Sequence, residues 1–168
     1  MKIVQYNLNG ENILQRKATR MPENKLKKHI GFSNNDYSSK FWRTVYDAKS
    51  LMIKANGIGI AANQVGDHRN WFWAIISGRA RLFVNAKAVE YLGPLTGKME
   101  GCLSMPRLMW KIHRPDKVRI SYYNIEEKSY YEEIFEGPSA RVIMHELDHL
   151  NGKCICDRYA KYHGIYMG

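Results

Sequence analysis

Five residues near the end of the chain, His145-Glu-Leu-Asp-His149, constrain its folding more than any other stretch. Positions four apart on an α-helix share a face, so the two imidazoles stand one turn apart and can bind one divalent cation between them. Glu146, beside the first imidazole, can reach a water on such a metal and act as general base, then as proton donor. Chance at this composition predicts only about 0.01 occurrences of the pattern. The pattern demands a helix, and the helix ends are legible too. Gly137-Pro138 opens it, with proline suited to a first turn, and Gly152 closes it after Asn151.

The rest of the chain supplies what that helix packs against. The polar, turn-rich segment 29–39 reads as a loop delivering a second helix, N-capped by Ser38 or Ser39 and running to about Asn56. Phe41, Val45, Ala48 and Met52 form its buried stripe, Gly57 is the expected stop, and GIGIAANQ (57–64) follows as a loop. Between Trp71 and Phe135 the segments WFWAII, RLFVN, AVEYL, VRISYYN and SYYEEIF read as short strands separated by turn residues. Strands without intervening helices argue for antiparallel pairing. The alternation around Ile155, between Cys154 and Cys156, reads as one more short strand. The expected fold is α+β: one domain over residues 1–168, antiparallel β-sheets packed around the C-terminal HExxH helix, and one N-terminal helix.

Composition narrows the setting. With 45% hydrophobic and 25% charged residues, the chain can bury one core, and its greasiest run, 71–76, is far below the roughly 18 residues a membrane helix needs. The N-terminus lacks the unbroken apolar segment of a signal peptide, and three cysteines (Cys102, Cys154, Cys156) are too few and odd in number for a disulfide scaffold. A cytoplasmic monomer with no membrane contact is the expectation. The net charge of +10 is uneven: residues 1–56 hold 11 Lys/Arg against four Asp/Glu. That basic end is either a docking face for the ribosome or another polyanion, or a solvated surface.

A metal on His145 and His149 needs a third protein ligand. No glutamate follows Glu146, and the position where a HExxHxxGxxH protease has its third histidine is Ile155. Cys102 upstream and Cys154, Cys156, Asp157 and His163 downstream remain as donors.

Cys102 lies in EGCLS (100–104), and with GIGIAANQ (57–64) and HELDH (145–149) it makes three blocks in one order by which the chain resembles the peptide deformylase family. ILQRKA (13–18) is a weaker echo. The resemblance covers most of the chain. It implies a hydrolase that removes the N-formyl group from the initiator methionine of nascent polypeptides and releases formate. Cys102, His145 and His149 would hold the metal, usually ferrous iron in this family, with Zn²⁺, Ni²⁺ or Co²⁺ suited to the same donors. Gln64 and the Leu103 N–H would stabilise the tetrahedral oxygen while Glu146 moves the proton. Gly57 and Gly59 would let the backbone approach the peptide closely, Ile58 and Gly101 would pair with it as an added strand, and Val142 would line the methionine pocket. Arg141, one turn before His145, is either a substrate contact or a surface ion pair. Ile60 and Met144 depart from the family's usual leucine and glutamine. The chain ends at Gly168, so the long basic C-terminal helix of many bacterial members is expected to be missing. Asp148 and Arg114 are expected to pair and tie the HExxH helix to the cysteine strand. The competing readings are another HExxH metalloprotease or amidase, and a basic ribosome- or RNA-binding module with a dead site.

Overall fold

In the computed structural model, which describes residues 1–7, 12–28 and 40–163, the stripe of Phe41, Val45, Ala48 and Met52 lies buried along one helix, α2 (Lys40–Lys54). The expected loop 29–39 and its capping serines lie outside the described residues. A short helix not anticipated from the sequence, α1 (Glu23–Lys28), precedes it. The residue that turns left-handed to stop α2 is Asn56 (φ 53°), not Gly57, because asparagine also tolerates that region and comes one residue earlier.

The strands form one antiparallel sheet in the order β1 (Gly59–Ala61), β2 (Trp71–Ile76), β3 (Arg79–Cys102), β4 (Met105–Asn124) and β5 (Ser129–Glu136). One sheet stands where several were expected, and two further expectations change here. The GIGIAANQ segment is an edge strand followed by a 3₁₀ turn, Ala62–Val65, and not a loop; three residues are too few to show a period. RLFVN and AVEYL are parts of one 24-residue strand that continues to Cys102, paired with a 20-residue partner. Gly93, Pro94 and Pro115 signal turns, yet register shifts between Val84 and Lys87, Ala88 and Glu90, and Leu92 and Leu95 let the ladder absorb them. The middle of β3 is mostly exposed, and the strand becomes buried again at Glu100 and Cys102.

The helix α3 (Gly137–Leu150) packs across this sheet. Ala140, Ile143, Met144 and Leu147 repeat at helical spacing and join Phe72, Phe83 and Ile120 in the main core. Met144 is therefore a core residue. Gly152 ends the helix as expected: at φ 70° its N–H donates to His149 O (2.9 Å), and Lys153 N–H donates to Asp148 O (2.9 Å). The chain then enters α4 (Ile155–Tyr162), where a strand was expected. Asp157 decides this, since its carboxylate accepts the Cys154 N–H (2.6 Å) and caps a helix start. Cys154, Ile155 and Cys156 are buried all the same, in a second cluster with Leu14, Cys102 and Ile112. All three cysteines are free thiols, and no described helix is long and apolar enough to cross a membrane.

Candidate active site

The end of β3 meets α3 at one point. Cys102, the last residue of the strand, faces the two histidines that the helix presents one turn apart, and Cys102 Sγ lies 3.2 Å from His149 Nε2. One donor atom from each of Cys102, His145 and His149 falls within 4.8 Å of the others. A sulfur and two imidazoles on rigid elements, with a coordination position left over, suit a divalent transition ion. Of the donors the sequence left open, Cys102 joins the pair. Cys154 instead lies on the opposite edge of the His149 ring, 3.8 Å from Nδ1. Burial and the neighbouring His145 hold the His149 imidazole well below its ordinary pKa, in the neutral form that ligates.

Behind the histidines runs a buried ionic chain. Glu100 Oε2 lies 3.1 Å from His145 Nδ1 and orients that ring. Arg114 grips Glu100 with two hydrogen bonds (2.7 and 2.9 Å) and reaches Asp148 with a third (2.7 Å), so the expected tie between the helix and the cysteine strand is present. Arg158, on α4, completes the set on Asp148 (2.8 Å). Burial would push the Glu100 carboxyl up, but His145 and Arg114 outweigh it and hold it well below the usual carboxylate range. Arg141 is neither free nor on the surface. Its Nη1 donates to Glu100 (2.6 Å) and Ile112 O (3.0 Å), and its Nη2 to Thr96 O (2.7 Å).

Two further groups face the same point. Gln64 is buried, and its Oε1 accepts the Ala61 N–H (2.9 Å), which turns the amide nitrogen toward Ser104 Oγ (3.1 Å) and Cys102 Sγ (3.6 Å). Glu146 is buried as well, and its Oε2 has no hydrogen-bond partner among the described residues. Burial raises its carboxyl to about 7. Gly59 makes room for it, since a Cβ there would sit 2.2 Å from Glu146 Oε1.

These residues open onto a cleft of about 790 Å³. Ile58, Gly59, Gln64, Gly101, Cys102, Leu103, Arg141, Val142, His145 and Glu146 all line it, and His149 stands fully buried behind them. Sequence reasoning did not assign three participants. Glu100 and Ser104 were visible only as neighbours of Cys102, and Asn63, whose amide donates to His149 O (2.5 Å), only as part of the glycine-rich block.

Comparison with known proteins gives one answer. The family model described as polypeptide deformylase matches residues 2–163. The peptide deformylase of Thermotoga petrophila is 34% identical over 116 residues, 69% of this chain and 70% of that protein. The crystal structure of peptide deformylase from Thermotoga maritima superposes with a TM-score of 0.76 at 29% identity, covering 94% of this chain and 95% of that one. A Met-Ala-Ser-bound class I type b peptide deformylase from Acinetobacter baumannii superposes with a TM-score of 0.78 at 25% identity, covering 94% and 97%.

Proposed function

The chain belongs to the polypeptide deformylase family, and we infer from the cleft how it removes the formyl group of N-formylmethionyl peptides. The observation that carries this reading is the convergence of Cys102, His145 and His149 beside the buried carboxylate of Glu146, whose Oε2 has no partner among the described residues. A divalent cation held by those three residues supplies Lewis acidity that makes water nucleophilic at neutral pH. We take ferrous iron as the resident ion, with Zn²⁺, Ni²⁺ or Co²⁺ accepted by the same donors.

Glu146 takes one proton from the attacking water and passes it to the departing amine, so that formamide and water become formate and a free N-terminus. A carboxyl raised to about 7 can hold or give up a proton near neutrality. The new carbon–oxygen bond puts negative charge on the formyl oxygen, where the Gln64 amide and the Leu103 N–H donate. The fixed orientation of Gln64 supports that role. The edge strand β1 supports extended binding of the peptide, with Ile58 and Gly101 pairing to it and Gly59 allowing close approach. Val142 lines the pocket for methionine, and Arg141 braces the wall through Glu100 and Thr96. The bound tripeptide of the Acinetobacter baumannii relative is consistent with this class of substrate.

We place residues 1–168 in one catalytic domain, active as a monomer in the cytoplasm; three free, buried cysteines fit a reducing compartment. The basic N-terminal region would bring it near ribosomes and nascent chains. The deciding assay is formate release from formyl-Met-Ala-Ser by protein prepared anaerobically with Fe²⁺, beside an unformylated peptide with cleavable internal bonds. Formate from the first and no cleavage of the second is the expected result. Internal cleavage would identify a protease, and neither activity would leave a binding module. Cys102→Asp should lower both metal content and formate release.

A further inference from the structure

We propose that Cys154 is a positioning residue for His149, its sulfur accepting the Nδ1–H and thereby fixing the tautomer and ring plane that aim Nε2 at the metal position. This inference rests on the metal reading above. A neutral imidazole carries one N–H. His149 Nε2 is turned to Cys102 Sγ at 3.2 Å, so the hydrogen of the ligating form is on Nδ1. His149 is 0% exposed, and water cannot serve that hydrogen. Among the described residues, the group within hydrogen-bond reach is Cys154 Sγ, at 3.8 Å and itself only 1% exposed.

The sulfur is held there by the fold. The left-handed turn at Gly152 folds the chain back on the ring it has just left. Cys154 then caps α4 with its backbone, its N–H on Asp157 Oδ2 (2.6 Å) and its carbonyl accepting Asp157 N–H (3.1 Å). Arg158 pins the same helix to Asp148, next to His149. The two histidines are thus supported unequally: His145 leans on a carboxylate, Glu100, and His149 on a weakly accepting sulfur. Cys156, two residues on, is equally buried but belongs to a different contact, the Tyr6 hydroxyl.

The test uses the Co²⁺-loaded chain with Cys154→Ala, Cys154→Ser and, as a packing control, Cys156→Ala. Two readouts apply: the rate of Co²⁺ release to a chelator, and the paramagnetically shifted proton resonances of the two histidine Nδ1–H groups. Cys154→Ala should release Co²⁺ about tenfold faster and displace the His149 resonance while leaving that of His145 in place. Cys154→Ser, whose hydroxyl accepts the same N–H once a small shift closes the gap left by its shorter bond, should restore slow release in part, and Cys156→Ala should match the parent. An unmoved His149 resonance in Cys154→Ala, or equal release from the alanine and serine variants, would overturn the proposal. If Cys154→Ala does not fold, the serine variant decides alone, since exchanging sulfur for oxygen must shift the His149 Nδ1–H signal and leave that of His145. Failure of the parent protein to take up Co²⁺ would instead overturn the metal reading.

Discussion

Two arginines of the sheet each grip a glutamate with two hydrogen bonds, in different surroundings. Arg114 holds Glu100 at 2.7 and 2.9 Å with its side chain 3% exposed, whereas Arg81 holds Glu133 at 3.0 and 2.7 Å with its side chain 35% exposed. Arg81 spans from β3 to β5, also bonds the Tyr122 hydroxyl, and lies over the rings of Phe83 and Phe135. If its partner is lost, water can solvate what remains. Around Arg114 water cannot, and Glu100 and Asp148 both depend on it while Glu100 in turn orients His145. The same pair of hydrogen bonds is therefore a local stitch at one end of the sheet and a support for the cleft at the other.

The sharpest contrast with the outer sheet should come from the cleft carboxylate. Glu146→Ala should keep the metal and lose about ten-thousandfold in turnover, as expected for a proton carrier that is not a ligand; a metal-depleted variant would contradict that role. Arg114→Ala comes next, costing about 3 kcal/mol in thermal or denaturant unfolding because two buried carboxylates each lose a partner, with Arg141 still on Glu100 and Arg158 still on Asp148. It should also weaken metal retention through Glu100 and His145. Gln64→Ala should cost about 3 kcal/mol of transition-state stabilisation, seen in kcat and not KM.

Acid titration compares the two glutamates directly. Both carboxyls lie below the ordinary 4.5 in the folded chain: Glu100 because His145 and Arg114 outweigh its burial, and Glu133 chiefly through its hydrogen bond to Arg81. Their contribution to stability is fully present above 4.5 and is lost as pH falls through the lower folded values. Glu100→Gln should flatten acid unfolding more than Glu133→Gln, and equal slopes would erase the distinction. The smallest effect belongs to Arg81→Ala, about 0.5–1 kcal/mol in the same unfolding measurement.

How much of this was legible from the sequence depends on whether the geometry is local. On α3 the helical period alone placed His145, Glu146 and His149, and the signals at Pro138 and Gly152 bounded the helix. The stripe of α2 was equally plain. Cys102 and Gln64 could be named from their blocks, and the pairing of Asp148 with Arg114 anticipated. Glu100 could not be given its task, although it stands two residues from Cys102. Its contact with His145 depends on where β3 ends against α3, and its contact with Arg114 on a register that sets Glu100 opposite Trp110 and Arg114 opposite Thr96. A one-residue slip would turn those side chains to the other face.

The sequence by itself determined the chemistry on offer: two imidazoles and a carboxylate at helical spacing, a cysteine in a distinctive block, and a family likeness across the chain. Only the tertiary structure decided that Glu100 meets His145, that Arg141 braces Glu100, and that the segment after Gly152 is a helix capped at Cys154. Spacing along a helix is fixed by backbone geometry within a few residues. Meetings between strand, helix and turn are fixed by register, bulges and packing across the whole fold, which no local window contains.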